Sequence, residues 1–109
     1  MTKTEVIASV AGDLTATEKA VDEAIARATT LVQAMIGGRT ALNISPVVGA
    51  EAQAKAMEAI ANLSAARSAV VACHQELAKD HRRLGYGIFA EIAEKGRPEA
   101  TGEHRLRAV

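Results

Sequence analysis

The chain has no Trp, one Tyr and one Phe among its 109 residues. Large aromatic rings usually dominate the area a compact core buries, so a thick, aromatic-centred globule is excluded. One cysteine, Cys73, excludes an internal disulfide and a cysteine-rich metal cluster. Neither sign of charge is in excess: 13 Lys and Arg stand against 13 Asp and Glu. The balance also holds locally, with 6 basic and 7 acidic residues over 1–73 and 7 and 6 over 74–109. Bulk attraction to nucleic acid or to an anionic membrane is therefore not expected. No stretch approaches the roughly 20 apolar residues of a membrane span. The apolar run near the start, Val6 to Ala8, is too short for a signal sequence. The expected location is the cytoplasm, with no membrane partner.

What the chain has instead is alanine, 24 residues of it. Alanine has the best intrinsic helix propensity, and its small side chain suits helices that pack backbone to backbone. The fold class is read as all-α. Thr2-Lys3-Thr4-Glu5 has the spacing of a capping box, in which a hydroxyl and a carboxylate each satisfy an orphan backbone N–H. Thr15-Ala16-Thr17-Glu18 repeats that spacing just after Gly12. The apolar line decides between one helix and two. Ile7, Val10, Leu14, Thr17, Val21, Ala24, Ala28, Leu31 and Met35 keep one phase throughout, which predicts a single helix over about 3–36. Gly37-Gly38 is expected to end it, and the apolar connection 39–45 to tuck Leu42 and Ile44 over the end of a bundle; a binding loop is the alternative.

Ser45-Pro46 predicts a second start, with Ser as N-cap and Pro at the first helical position. Met57, Ile60, Leu63, Val70, Leu77 and Leu84 continue the pattern, predicting a helix over about 46–84. Gly85-Tyr86-Gly87 leads to a short third piece, 86–95, stopped by Gly96 and Pro98. Residues 1–96 are thus expected to form one helical hairpin domain, followed by a loose tail over 97–109. A hairpin two helices thick leaves its apolar lines partly bare. Two copies joined into a four-helix bundle would cover them, and a symmetric dimer is the commonest way to do so.

The residues expected at that interface are Leu14, Val21, Leu31, Ile60, Leu63, Arg67, Val70, His74, Leu77, His81 and Leu84. Arg67, His74 and His81 are polar and stand seven apart, which reads as register-setting layers in an apolar seam. His74 and His81 lie about 10 Å apart along one helix, too far to share a metal within one chain. A metal or ligand site would need both subunits, and no cofactor is expected. Cys73 has Ala69 and Leu77 one turn away, no base among them, and reads as a small buried apolar residue. Glu76 and Glu103 are not followed three residues later by His, so the di-iron bundle pattern is missing. Gly37-Gly38-Arg39-Thr40 lacks the strand and the ending of a phosphate loop. Asp80-His81-Arg82-Arg83 reads as a solvated charged face. Its alternative is a contact for an acidic partner through Arg82 and Arg83; a nucleic-acid partner is not expected.

Ala65-Ala66-Arg67, Val70-Val71, His74, Leu77-Ala78, Leu84-Gly85 and Gly96-Arg97-Pro98 form a pattern over about a third of the chain. It resembles short helical proteins encoded in prophage and phage-like gene clusters of alphaproteobacteria. The resemblance implies a genetic context and no functional residue. Together these readings predict a non-enzymatic helical interaction or oligomerisation module, an accessory or structural protein of such a cluster. The alternatives are a helical binder of nucleic acid or an acidic partner, and a metal- or ligand-binding bundle.

Overall fold

The computed structural model describes residues 1–85 and contains two α-helices, α1 (Lys3–Ala41) and α2 (Ala50–Arg83). The described residues are all-α, with no strand among them. The short piece expected over 86–95 and the tail over 97–109 lie outside the described residues. The chain divides into two compact units, Met1–Ala16 with Cys73–Val109, and Thr17–Ala72.

In the first unit α1 begins as its capping box requires. Thr2 Oγ1 accepts the Glu5 N–H at 3.1 Å, and Glu5 Oε1 accepts the Thr2 N–H at 2.8 Å. Reciprocal capping of this kind satisfies two of the four donors that every helix start leaves open. The second box at Thr15 starts nothing, because the helix runs through it. Ile7, Ala11 and Leu14 are buried here, and they are the only buried residues among those described.

The second unit holds the bend, and its details depart from expectation. Gly37 and Gly38 do not end α1; the helix passes through both and continues to Ala41. The stop is made by Asn43 in the left-handed conformation, at φ 55°. Its N–H reaches the Thr40 carbonyl at 3.1 Å, and the Ile44 N–H reaches that of Arg39 at 2.9 Å. These two bonds form a Schellman motif, which satisfies carbonyls the helix end would otherwise strand. Asn is the residue after Gly that best tolerates this conformation, so a pair of glycines was the wrong signal.

Ser45-Pro46 likewise opens a turn and not the helix. Ser45 Oγ accepts the Val47 N–H at 3.2 Å and the Ser45 carbonyl accepts from Val48 at 3.0 Å. The chain then reverses at Gly49, whose φ of 83° only glycine adopts freely. The Gly49 carbonyl accepts from Gln53 at 2.9 Å, so α2 begins four residues later than the Pro predicts.

Candidate interaction surface

Side-chain bonds cross from α1 to α2 within the second unit. Arg67 Nε donates to Asp22 Oδ1 at 2.6 Å, and Arg39 Nη2 donates to Gln53 Oε1 at 2.8 Å. Position 22 thus meets 67 and position 39 meets 53, the reversed order of an antiparallel pair. The hydrogen bond to Asp22 and its charge, with help from Glu18, hold the Arg67 guanidinium above its usual range, against a small opposing desolvation.

These polar partners also bear on which face of α1 turns inward. The expected line took every seventh residue from Ile7 together with the residues three after each. The structure keeps the first series and Ala24 of the second, and adds the residues four after. Ala11, Glu18, Ile25, Val32 and Arg39 are buried or half-buried, while Val10, Thr17 and Leu31 are exposed. Residues three and four beyond a given position lie about 100° apart around a helix, so the difference rotates the contact line. The unbroken three-four spacing predicted the first choice. Glu18 beside Arg67 and Arg39 on Gln53 favour the second, because they satisfy charge across the pair.

Of the eleven residues expected at an interface, Leu14 is buried. Val21, Ile60, Leu63, Val70, His74, Leu77 and His81 are half-buried. Leu31, Arg67 and Leu84 are exposed. Arg67 is no buried polar layer: its head leaves the seam for Asp22, and both side chains remain about half exposed at 52%. His81 donates from Nδ1 to the Leu77 carbonyl one turn back at 2.8 Å, a bond local to its own helix. Cys73 is exposed, which corrects its reading as a buried apolar residue. The alternation that places His74 inward leaves its neighbour facing out.

The charged segment near the end of α2 is largely neutralised by its own neighbours. Lys79 pairs with Glu76 at 3.0 Å and Arg83 with Asp80 at 3.0 Å, each three residues apart, while Arg82 is exposed. Among the described residues no group of three or more His, Cys, Asp or Glu could hold a metal ion. No described helix is long and apolar enough to cross a membrane.

What the sequence reading missed is where the exposed apolar surface lies. Leu42 is 71% exposed and Val47 79%, with Val48 also open and Ile44 less so. Leu42 and Ile44 therefore do not tuck in: the Schellman bonds turn the chain outward at Asn43, and the side chains follow. Leu31, Ile36 and Met57 add exposed apolar surface in the same unit, and Val6, Val10 and Leu84 do so in the other. Comparison with family models, with characterised proteins and with solved structures finds no match for this chain.

Proposed function

We propose that this protein is a non-enzymatic helical interaction module that self-associates, with a symmetric dimer as the simplest form. The reading rests on one observation. Eleven large apolar side chains remain exposed among the described residues, while only three residues are buried. Scattered exposed apolar residues are ordinary, but here the open set outweighs the core. Water penalises that arrangement by about 25 cal/mol for each Å² left bare, so covering it by association is favourable.

Lines of apolar residues along helices are best covered by other helices, which is why a four-helix bundle of two hairpins is preferred to a small ligand. A role as an accessory or structural protein of a phage-like gene cluster is part of the proposal, supported only by the resemblance in the second half of the chain. The local pairing of Lys79 and Arg83 with acidic neighbours favours this reading over an acidic or nucleic-acid partner.

Light scattering of the purified chain over a concentration series tests it. The expected mass is twice 11.4 kDa, and Leu31→Glu with Met57→Glu should return it to one chain while the helical circular dichroism is kept. A monodisperse monomer at every concentration up to about 100 µM, far above typical dissociation constants of stable dimers, would remove the self-association.

A further inference from the structure

Helix α1 carries a second line of residues beside the one its fold covers. The covered line runs through Ile7, Ala11, Leu14 and their seven-residue repeats. Positions 6, 13, 20, 27 and 34, with 10, 17, 24 and 31 between them, each stand one residue ahead of it. They therefore lie about 100° round the same helix. Ala24 is half-buried and the rest are exposed, with Val6 47%, Val10 39% and Leu31 53% open. Only two of the nine residues are charged, Asp13 and Arg27. All nine belong to one unbroken helix, so its period alone sets their spacing.

The order of these residues is complementary to its own reverse. Turned end for end, the line sets Val10 against Leu31, Asp13 against Arg27 and Thr17 against Ala24, each pair centred on Ala20 or just after it. We infer that two copies meet along this line, α1 against α1, antiparallel, with the two-fold axis near Ala20. The inference deepens the self-association reading above and rests on it. In a two-fold interface residue i meets j while j meets i, and this pattern satisfies that condition without a second surface.

Charge chooses both the occupant and its direction. Antiparallel copies place Asp13 of each beside Arg27 of the other, twice over. Parallel copies would set Asp13 on Asp13 and Arg27 on Arg27, and like charges across a helix pair repel. The cation that Asp13 calls for thus stands at the matching place on the same chain. Arg27 already meets Glu23 at 3.4 Å, but their side chains are 79% and 66% exposed. Its five N–H donors leave room for a second carboxylate. Asp13 and Arg27 lie about 21 Å apart along the helix, so both pairs form together only when the rods run side by side for several turns. Thr17, Ala20 and Ala24 are small, which lets the two axes come close at the centre.

Disulfide trapping of the full-length chain tests the arrangement, with the exposed Cys73 changed to Ser. Val10→Cys and Leu31→Cys chains, mixed, allowed to exchange and mildly oxidised, should give a linked pair. Either chain alone should give less than a tenth as much, because its two cysteines would lie about 30 Å apart along the pair. Arg27→Glu should raise the dimer dissociation constant about tenfold, since it faces Asp13 at two places. Adding Asp13→Arg to that chain should restore it, with helical circular dichroism kept throughout. Linkage by either cysteine chain alone, none on mixing, indifference to Arg27→Glu, or a loss that Asp13→Arg does not reverse would each overturn the inference. The two readings fail separately. A chain that scatters as a dimer but gives no link on mixing loses only this face, whereas a monomer at every concentration loses both.

Discussion

Ile7 and Leu14, in the unit of Met1–Ala16, are 3% and 8% exposed, whereas Val21, Ala28 and Met35 continue the same seven-residue series through Thr17–Ala72 and are only half-buried. The helix, the spacing and the apolar character are shared. Burial is not. Thr17–Ala72 consists of two helical stretches and their turn, and two helices cover each other along one stripe and leave both flanks in water. Periodicity says which face of a helix turns inward and leaves the depth of cover open.

The sharpest way to break that contrast is to truncate one residue on each side of it. Leu14→Ala should cost about 2–4 kcal/mol, the range for a large side chain removed from a covered site, while Val21→Ala should cost less than about 1.5 kcal/mol because its site is already half open. Urea unfolding followed by circular dichroism reads both. Equal costs would mean that burial does not separate the units.

Glycines sharpen the comparison within Thr17–Ala72. Gly49 sits at φ 83°, so Gly49→Val should destabilise by about 1–2 kcal/mol through backbone strain. Gly37 lies inside α1 with open space where a Cβ would stand. Gly37→Ala should therefore stabilise by about 0.5–1 kcal/mol. Thermal melts of the two variants must move in opposite directions; a destabilised Gly37→Ala would place the end of α1 back at the glycine pair.

A smaller effect belongs to the start of the chain. Thr2→Ala removes one half of the capping box and should cost about 1 kcal/mol, with amide exchange speeding first at Glu5, whose N–H loses its acceptor. Unchanged exchange there would show that the cap does not hold the first turn.

The smallest belongs to the Asp22–Arg67 pair. Both side chains are half in water, so Asp22→Asn should cost under about 1 kcal/mol, and less in high salt. Because the pair raises Arg67 above its ordinary range, Arg67 stays charged in both folded and unfolded chains at neutral pH. Its contribution is complete below the unfolded value and is lost only as pH rises through the folded one. Stability between pH 6 and about 9 should therefore show no step from Arg67; a loss in that window that disappears in Arg67→Gln would contradict the assignment.

Much of the architecture is legible in the sequence. Thr2 and Glu5 announced the first turn, since a capping box is local chemistry that needs no tertiary partner. The series Ile7, Leu14, Val21, Ala28, Met35 gave the period, and its unbroken phase carried the helix through Gly12. The bend was not readable at the same level. Gly37-Gly38 and Ser45-Pro46 are strong local signals, yet Asn43 and Gly49 made the reversal. A glycine only permits a left-handed residue, whereas the position at which the chain must turn is set by where α2 has to lie against α1. The surface suffered most from this, because Leu42 and Ile44 point wherever the turn aims them.

By itself, then, the amino-acid order determined the helices, their period and their direction reversal, because hydrogen bonds one turn apart and side chains seven apart are local matters. Only the tertiary structure decided that α1 presents Ala11, Ile25 and Val32 where the spacing pointed to Val10 and Leu31. Apolar area is nearly indifferent to a small rotation of a helix, but ion pairs and amide hydrogen bonds are not. Arg67 finding Asp22, and Arg39 finding Gln53, require groups 45 and 14 residues apart to meet at defined angles, and that condition appears only when the two helices are side by side.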